Sequence, residues 1–288
     1  MDGTARIWNL VDGRDLALLD HERDDVTALA LSRNGGRLVT GTEGGRLLIW
    51  DTRTGGRIRE CHGTTRPLRA LAMAPDSRWF VSGSDDGVVR LWDFSTGEIL
   101  REACTHAGAI SSVAITPDGR TVVMGSVEKT IRVLDPLRGT VAELEAHHGP
   151  GPITKGPIRS MGISPDGRHA ISCAEGDRRA HLWDLARGRA VDSIQSDVSH
   201  DGIEFAQLSP DGRSLIGAST FGFLHLWRFP ACELSRVLGG ALFEQLPTGG
   251  FRRVEEGRDS SQAPLMRLGR ETHHSDLTSF SLGPDGRR

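Results

Sequence analysis

His62, Ser82 and Asp86 lie 24 residues apart end to end with Trp92 close behind, and His148, Ser172, Asp177 and Trp183 repeat the same set of types. A hydroxyl, an imidazole and a carboxylate are the parts of a nucleophile activated by a base that an acid orients. Hydrolysis by His62, Ser82 and Asp86 would need a Ser open to solvent and an oxyanion site beside it. Metal chemistry has thinner support. The doublets His147-His148 and His273-His274 have no cluster of Cys or carboxylates beside them, and Cys61, Cys104, Cys173 and Cys232 are far apart without a CxxC pair. That spacing argues against a zinc knuckle, a redox motif or a disulfide framework, so neither metal nor cofactor is expected.

Recurrence decides against catalysis. Short apolar runs end at Trp8-Asn9, Trp50-Asp51, Trp92-Asp93, Leu134-Asp135, Trp183-Asp184 and Trp227-Arg228, in steps of 42, 42, 42, 49 and 44 residues. A fixed period of this size is the signature of a repeat architecture, and one active site does not normally recur along it. A second marker keeps the rhythm: the turns Asn34-Gly35, Asp76-Ser77, Asp118-Gly119, Asp166-Gly167, Asp211-Gly212 and Asp285-Gly286, all but the first preceded by Pro. Pro presets φ, Asp bonds back to the backbone and Gly accepts positive φ, so each marks a hairpin. Alternating runs such as 26–32, 68–74, 110–116 and 158–164 precede these turns as first strands, and second strands such as 37–42 and 79–84 follow. Third strands end at the Trp, and a fourth follows a T-G or R-G turn. Each unit is predicted to be a four-stranded antiparallel meander.

A His before the first strand, S-P-D-G after it, S-G-S-x-D next and W-D closing the third strand resemble the WD-repeat β-propeller family, over residues 1 to about 238 and again about 273 to 288. The resemblance implies an all-β propeller whose blades pack radially around a channel. It also implies a structural role for the polar set: His, Ser or Thr, Asp and the Trp indole join in one buried hydrogen-bonded chain. His62, Ser82, Asp86 and Trp92 are expected to form one such tetrad, and His148, Ser172, Asp177 and Trp183 another. Loss of Asp86 or His62 should then cost ~1–3 kcal/mol. His21, Thr40 and Trp50 lack the Asp, Gly44 standing in its place, and the units holding Met124, Glu128 and Leu134 beside His106, or Gly217 and Phe221 beside His200 and Trp227, depart further.

Five complete blades are expected, with one split blade at the ends. The chain opens just before a third strand and closes, at 277–288, on a first strand, which leaves a second strand missing and points to a fragment of something larger. Residues 239–272 carry neither marker and read as an irregular insertion, with a decayed seventh blade of strands near 241–246, 251–255 and 264–268 as the less favoured reading. The net charge is −3 and the pI near 6.4, which offers no basic field for nucleic acid. No apolar run is long enough for a membrane helix, so a cytoplasmic protein is expected, and the bias to Arg over Lys suggests a GC-rich bacterial genome. The expected function is a non-enzymatic scaffold that binds a protein or peptide across the propeller's top face. Arg178, Arg179, Phe221, Phe223 and, in the loop 147–157, Lys155 are the candidate contact residues. A regulatory module of a multidomain kinase or NTPase is the alternative, although no Gly-x-x-x-x-Gly-Lys loop or kinase motif occurs here.

Overall fold

The computed structural model describes residues 3–9, 12–144, 157–195, 202–220 and 222–229, together with the backbone of three strands at 233–239, 242–245 and 251–254. All regular structure among them is β. The first two strands, β1 (Thr4–Trp8) and β2 (Asp15–Asp20), form a two-stranded sheet. Five four-stranded antiparallel meanders follow. Blade 1 holds β3 (Val26–Leu31), β4 (Arg37–Thr42), β5 (Leu47–Asp51) and β6 (Arg57–Cys61), and blade 2 holds β7 (Leu68–Met73), β8 (Trp79–Ser84), β9 (Val88–Asp93) and β10 (Ile99–Cys104). Blade 3 comprises β11 (Ile110–Ile115), β12 (Val122–Ser126), β13 (Ile131–Leu134) and β14 (Val141–Glu143). Blade 4 comprises β15 (Ile158–Ile163), β16 (His169–Ala174), β17 (Arg179–Asp184) and β18 (Arg189–Gln195), and blade 5 β19 (Ile203–Leu208), β20 (Ser214–Ser219), β21 (Phe223–Arg228) and β22 (Glu233–Gly239). A last hairpin pairs β23 (Leu242–Gln245) with β24 (Phe251–Val254), inside the stretch 239–272. The segment 273–288 lies outside the described residues.

The turn chemistry explains why the two sequence markers recur. In blade 3 the Thr116 hydroxyl donates to Asp118 Oδ1 at 2.6 Å while its oxygen accepts the Thr121 amide, and Asp118 Oδ1 also accepts the Arg120 amide. Ser164 with Asp166 and Ser209 with Asp211 repeat this knot, each followed by a Gly near φ 70°. The Asp of each W-D pair does comparable work at the next turn. Asp93 Oδ1 accepts the Ser95 and Thr96 amides, and Gly97, at φ 72°, closes the turn onto the Asp93 carbonyl. Trp therefore points into the sheet stack while its neighbour caps the turn.

The core lies between sheets, one seam per junction. Val39, Leu47 and Ile49 of blade 1 meet Leu68, Phe80 and Trp92 of blade 2; Val81, Val89 and Leu91 meet Ile110, Val122 and Met124; the later junctions repeat the pattern. First strands run side by side, β3 against β7, β7 against β11, and β11 against β15. The Gly of the S-G-S run, or of T-G-T in blade 1, is needed there, because a Cβ at Gly83 would sit 2.8 Å from Ile110 Cβ and one at Gly41 2.9 Å from Leu68 Cβ. The sheet β1–β2 joins the stack through Leu19, which is buried against Leu38, Leu48 and Trp50.

Candidate functional site

The polar set is most complete in the blade where the sequence lacks the Asp. His21 is fully buried at the loop before β3, and its Nδ1 lies 3.1 Å from the Leu19 carbonyl. A carbonyl can only accept, so Nδ1 carries the proton and Nε2 accepts the Thr40 hydroxyl at 2.8 Å. Thr40 Oγ1 in turn accepts the Trp50 indole N–H at 2.9 Å. Burial lowers the His21 pKa, against the Leu19 hydrogen bond, which keeps the ring neutral as this relay requires. Asp24, from the same loop, supplies the carboxylate that Gly44 cannot: its Oδ1 accepts the Gly44 amide at 2.9 Å, and a Cβ on Gly44 would lie 2.7 Å from Oδ2. The link between loop and turn is kept, with its polarity reversed.

Blade 2 corrects the expected tetrad of His62, Ser82, Asp86 and Trp92. Ser82 and Trp92 are joined, the indole donating to Ser82 Oγ at 2.9 Å, with Ser82 only 1% exposed. His62 is exposed and outside this chain. The cause is the loop path: Gly63 lies flat on the indole, and a Cβ there would be 2.5 Å from Trp92 Cη2, so the backbone fills the space an imidazole would occupy. Asp86 turns elsewhere as well. It accepts the Val88 amide at 2.9 Å and the Thr64 hydroxyl at 3.2 Å, is bonded by Ser84, and pairs with Arg90 Nη1 at 2.8 Å. Burial alone would raise its pKa, but these partners outweigh it and hold the carboxyl below its usual value. Thr64 thus ties loop to turn in place of His62.

The remaining blades vary the theme. In blade 4 the Trp183 indole donates to Ser172 Oγ at 2.8 Å, and Asp177 accepts the Arg179 amide at 3.2 Å and faces His181 Nε2 at 3.4 Å. His148 and Lys155 lie outside the described residues. Blade 3 replaces hydroxyl and indole by Met124 and Leu134, both fully buried, yet keeps a buried His106 whose Nδ1 meets Thr105 Oγ1 at 3.1 Å. Burial, aided by Arg132, pushes its pKa down to about 4. In blade 5 a Cβ at Gly217 would be 2.7 Å from the Trp227 ring, so the indole occupies the place of the missing hydroxyl-bearing residue.

Of the expected contact residues, Arg178 is exposed and Arg179 half-buried, at the turn before the third strand of blade 4. Phe223 does not stand on that surface. It opens β21, is 8% exposed, and packs with its ring 6.2 Å from that of His225. Strand alternation, which puts Phe223 inward and Leu224 outward, overrides its nearness to the turn. Phe221 lies outside the described residues. The residues missed by sequence reading are Asp24 and Thr64; both are short polar side chains in the loop before a first strand, two or three positions after the His. No group of three or more potential metal ligands occurs among the described residues.

Repeated four-stranded antiparallel blades, with a Trp-to-hydroxyl bond inside and an Asp-capped turn outside, define an all-β repeat protein of the propeller type. The sequence profile of the family described as WD domain, G-beta repeat matches residues 13–51, 55–93, 97–135 and 139–184, and the chain belongs to that family. Each matched repeat holds the outer strand of one blade and the first three of the next. WD40 repeats generally mediate protein–protein interaction, and the family is generally non-enzymatic. No curated protein matched the chain.

Proposed function

We propose that this protein is a non-enzymatic scaffold that binds a protein or peptide on the face formed by the loops before the first strands and the turns before the third. Arg178 carries the reading. In its turn Glu175 is paired with Arg159 at 2.6 Å and Asp177 accepts the Arg179 amide at 3.2 Å, whereas the exposed Arg178 has no ion pair with any described residue, which leaves its charge open to a partner. Ser82 supports it from the other side: its oxygen is buried under the Trp92 indole and offers no nucleophile. The acidic balance of the chain favours protein over nucleic acid as the partner.

The test is quantitative capture from the lysate of the source organism on immobilised protein. Arg178→Glu with Arg179→Glu should lose at least one partner that the wild type and a Ser77→Gly control retain. Equal capture with every substitution on that rim would overturn the reading.

A further inference from the structure

On the opposite face, between blades 2 and 3, a cavity of about 380 Å³ opens among Trp79, Leu91, Leu100, Arg101, Arg120 and Leu137. Its apolar wall breaks the repeat. At the head of the second strand, where blade 2 has Trp79, the other blades place Arg37, Thr121, His169 and Ser214, and in the turn after the third strand Leu137 stands where its neighbours have Arg53, Ser95 and Ala186. Leu137 is 79% exposed, and Leu100 is exposed beside it. The Leu137 side chain is not needed for its turn, since Asp135 accepts the Leu137 amide whatever side chain stands there.

The polar wall is basic and preset. Arg101 lies across Gly139, close to where a Cβ would be, and donates from Nη2 to the Leu137 carbonyl at 3.1 Å. Among the described residues neither Arg101 nor Arg120 forms an ion pair, and the Trp79 indole N–H has no acceptor. Asp118, which lines the cavity, is engaged by Thr116 and by the Arg120 amide and lies within electrostatic reach of the Arg120 guanidinium, as Asp135 does of Arg101. The geometry points to a second docking site, for a short peptide segment that places a bulky apolar side chain against Trp79, Leu100 and Leu137 and a flanking carboxylate on Arg101 or Arg120. Two guanidinium groups that form no close ion pair with a described residue, beside an exposed Leu and a half-buried Trp, favour an acidic–apolar segment over a basic one. The site is separate from the rim that carries Arg178.

The probe is a fluorescein-labelled hexapeptide with a Leu-Phe pair flanked by two acidic residues on each side, read by fluorescence polarisation against the full chain. It should bind with a Kd below about 1 mM, while its amide version, with Asn and Gln for the acids, and its Ser-Ser version bind at least about tenfold more weakly. Leu137→Ser, which gives the residue type of Ser95 and leaves the fold intact at so exposed a place, should weaken binding about tenfold, as should Arg101→Gln with Arg120→Gln. Trp79→Arg should do the same, and Arg178→Glu with Arg179→Glu should leave the affinity unchanged. Absence of binding at millimolar peptide, equal binding of the amide version, or full affinity in Leu137→Ser would each overturn the proposal.

Discussion

Thr40 and His62 show how differently two members of one sequence pattern can matter. Thr40 Oγ1 holds the Trp50 N–H and donates to His21 Nε2, all within a fully buried cluster. Thr40→Val keeps the shape but orphans a donor and an acceptor, at ~1–3 kcal/mol each. The urea midpoint should fall accordingly with the m value unchanged, and Thr40→Ser should recover most of it. His62→Ala, at an exposed site, should stay within about 0.5 kcal/mol of wild type. His106 gives a pH signature. Its folded pKa of about 4 lies below the ordinary 6.5, so the unfolded chain takes up a proton that the folded chain refuses. Stability from this group is complete above pH 6.5 and is lost as pH falls towards 4, on the order of 3 kcal/mol in all. His106→Leu should flatten the melting temperature between pH 4.5 and 6.5, leaving the smaller slope that His21, also lowered, contributes. An unchanged slope would show that His106 is protonated equally easily in both states.

At the scale of the element, blade 2 has the poorest first turn. Ala74 replaces the Ser or Thr that knots the others, and Ser77 takes the left-handed position at φ 56° that Gly holds in its counterparts. Ser77→Gly should therefore raise stability by about 0.5–1 kcal/mol, read as a higher unfolding midpoint, because the conformation is one that side chains disfavour. Gly44→Asp, which would restore the family's sequence pattern, should instead lower it by ~1–3 kcal/mol, since the new Cβ and carboxylate would meet Asp24. The strand order of the five blades and the inward Trp50, Trp92, Trp183 and Trp227 were legible because each depends on a local period and a turn whose chemistry is written in two or three adjacent residues. The hairpin β23–β24, by contrast, falls in the stretch 239–272 that reads as an irregular insertion. Partner choice in the polar sets was not legible. Whether Asp86 meets His62 or Arg90 depends on whether Gly63 or an imidazole covers Trp92, and whether Gly44 leaves a gap depends on Asp24, twenty residues away. The inward turn of Phe223 and the cleft at Trp79 were equally hidden, for they arise from how one sheet stands against the next.

For the whole molecule, stability is a sum of seams, since among the described residues each blade packs on its neighbours and each matched repeat straddles two blades. Among the described residues the sheet β1–β2 has a seam on one side, with blade 1, and should be held less firmly than a blade packed on both sides. Trp8 occupies the place of Trp50 and Trp92 yet is 52% exposed, because no second strand lies beside β1 among the described residues, and Leu29 and Leu31 of β3 are exposed on the side that a preceding first strand would cover. The corresponding Leu71 and Met73 of β7, with blade 1 behind them, are half-buried. Hydrogen exchange can measure this difference directly. The amides of β1 that face away from β2 should exchange at least ~100-fold faster than any amide of β9, which is paired on both sides by β8 and β10. Those facing β2 should show intermediate protection. Uniform protection along β1, equal to that of β9, would mean instead that a further strand pairs with this edge in solution, and Trp8 fluorescence would then resist quenching by acrylamide.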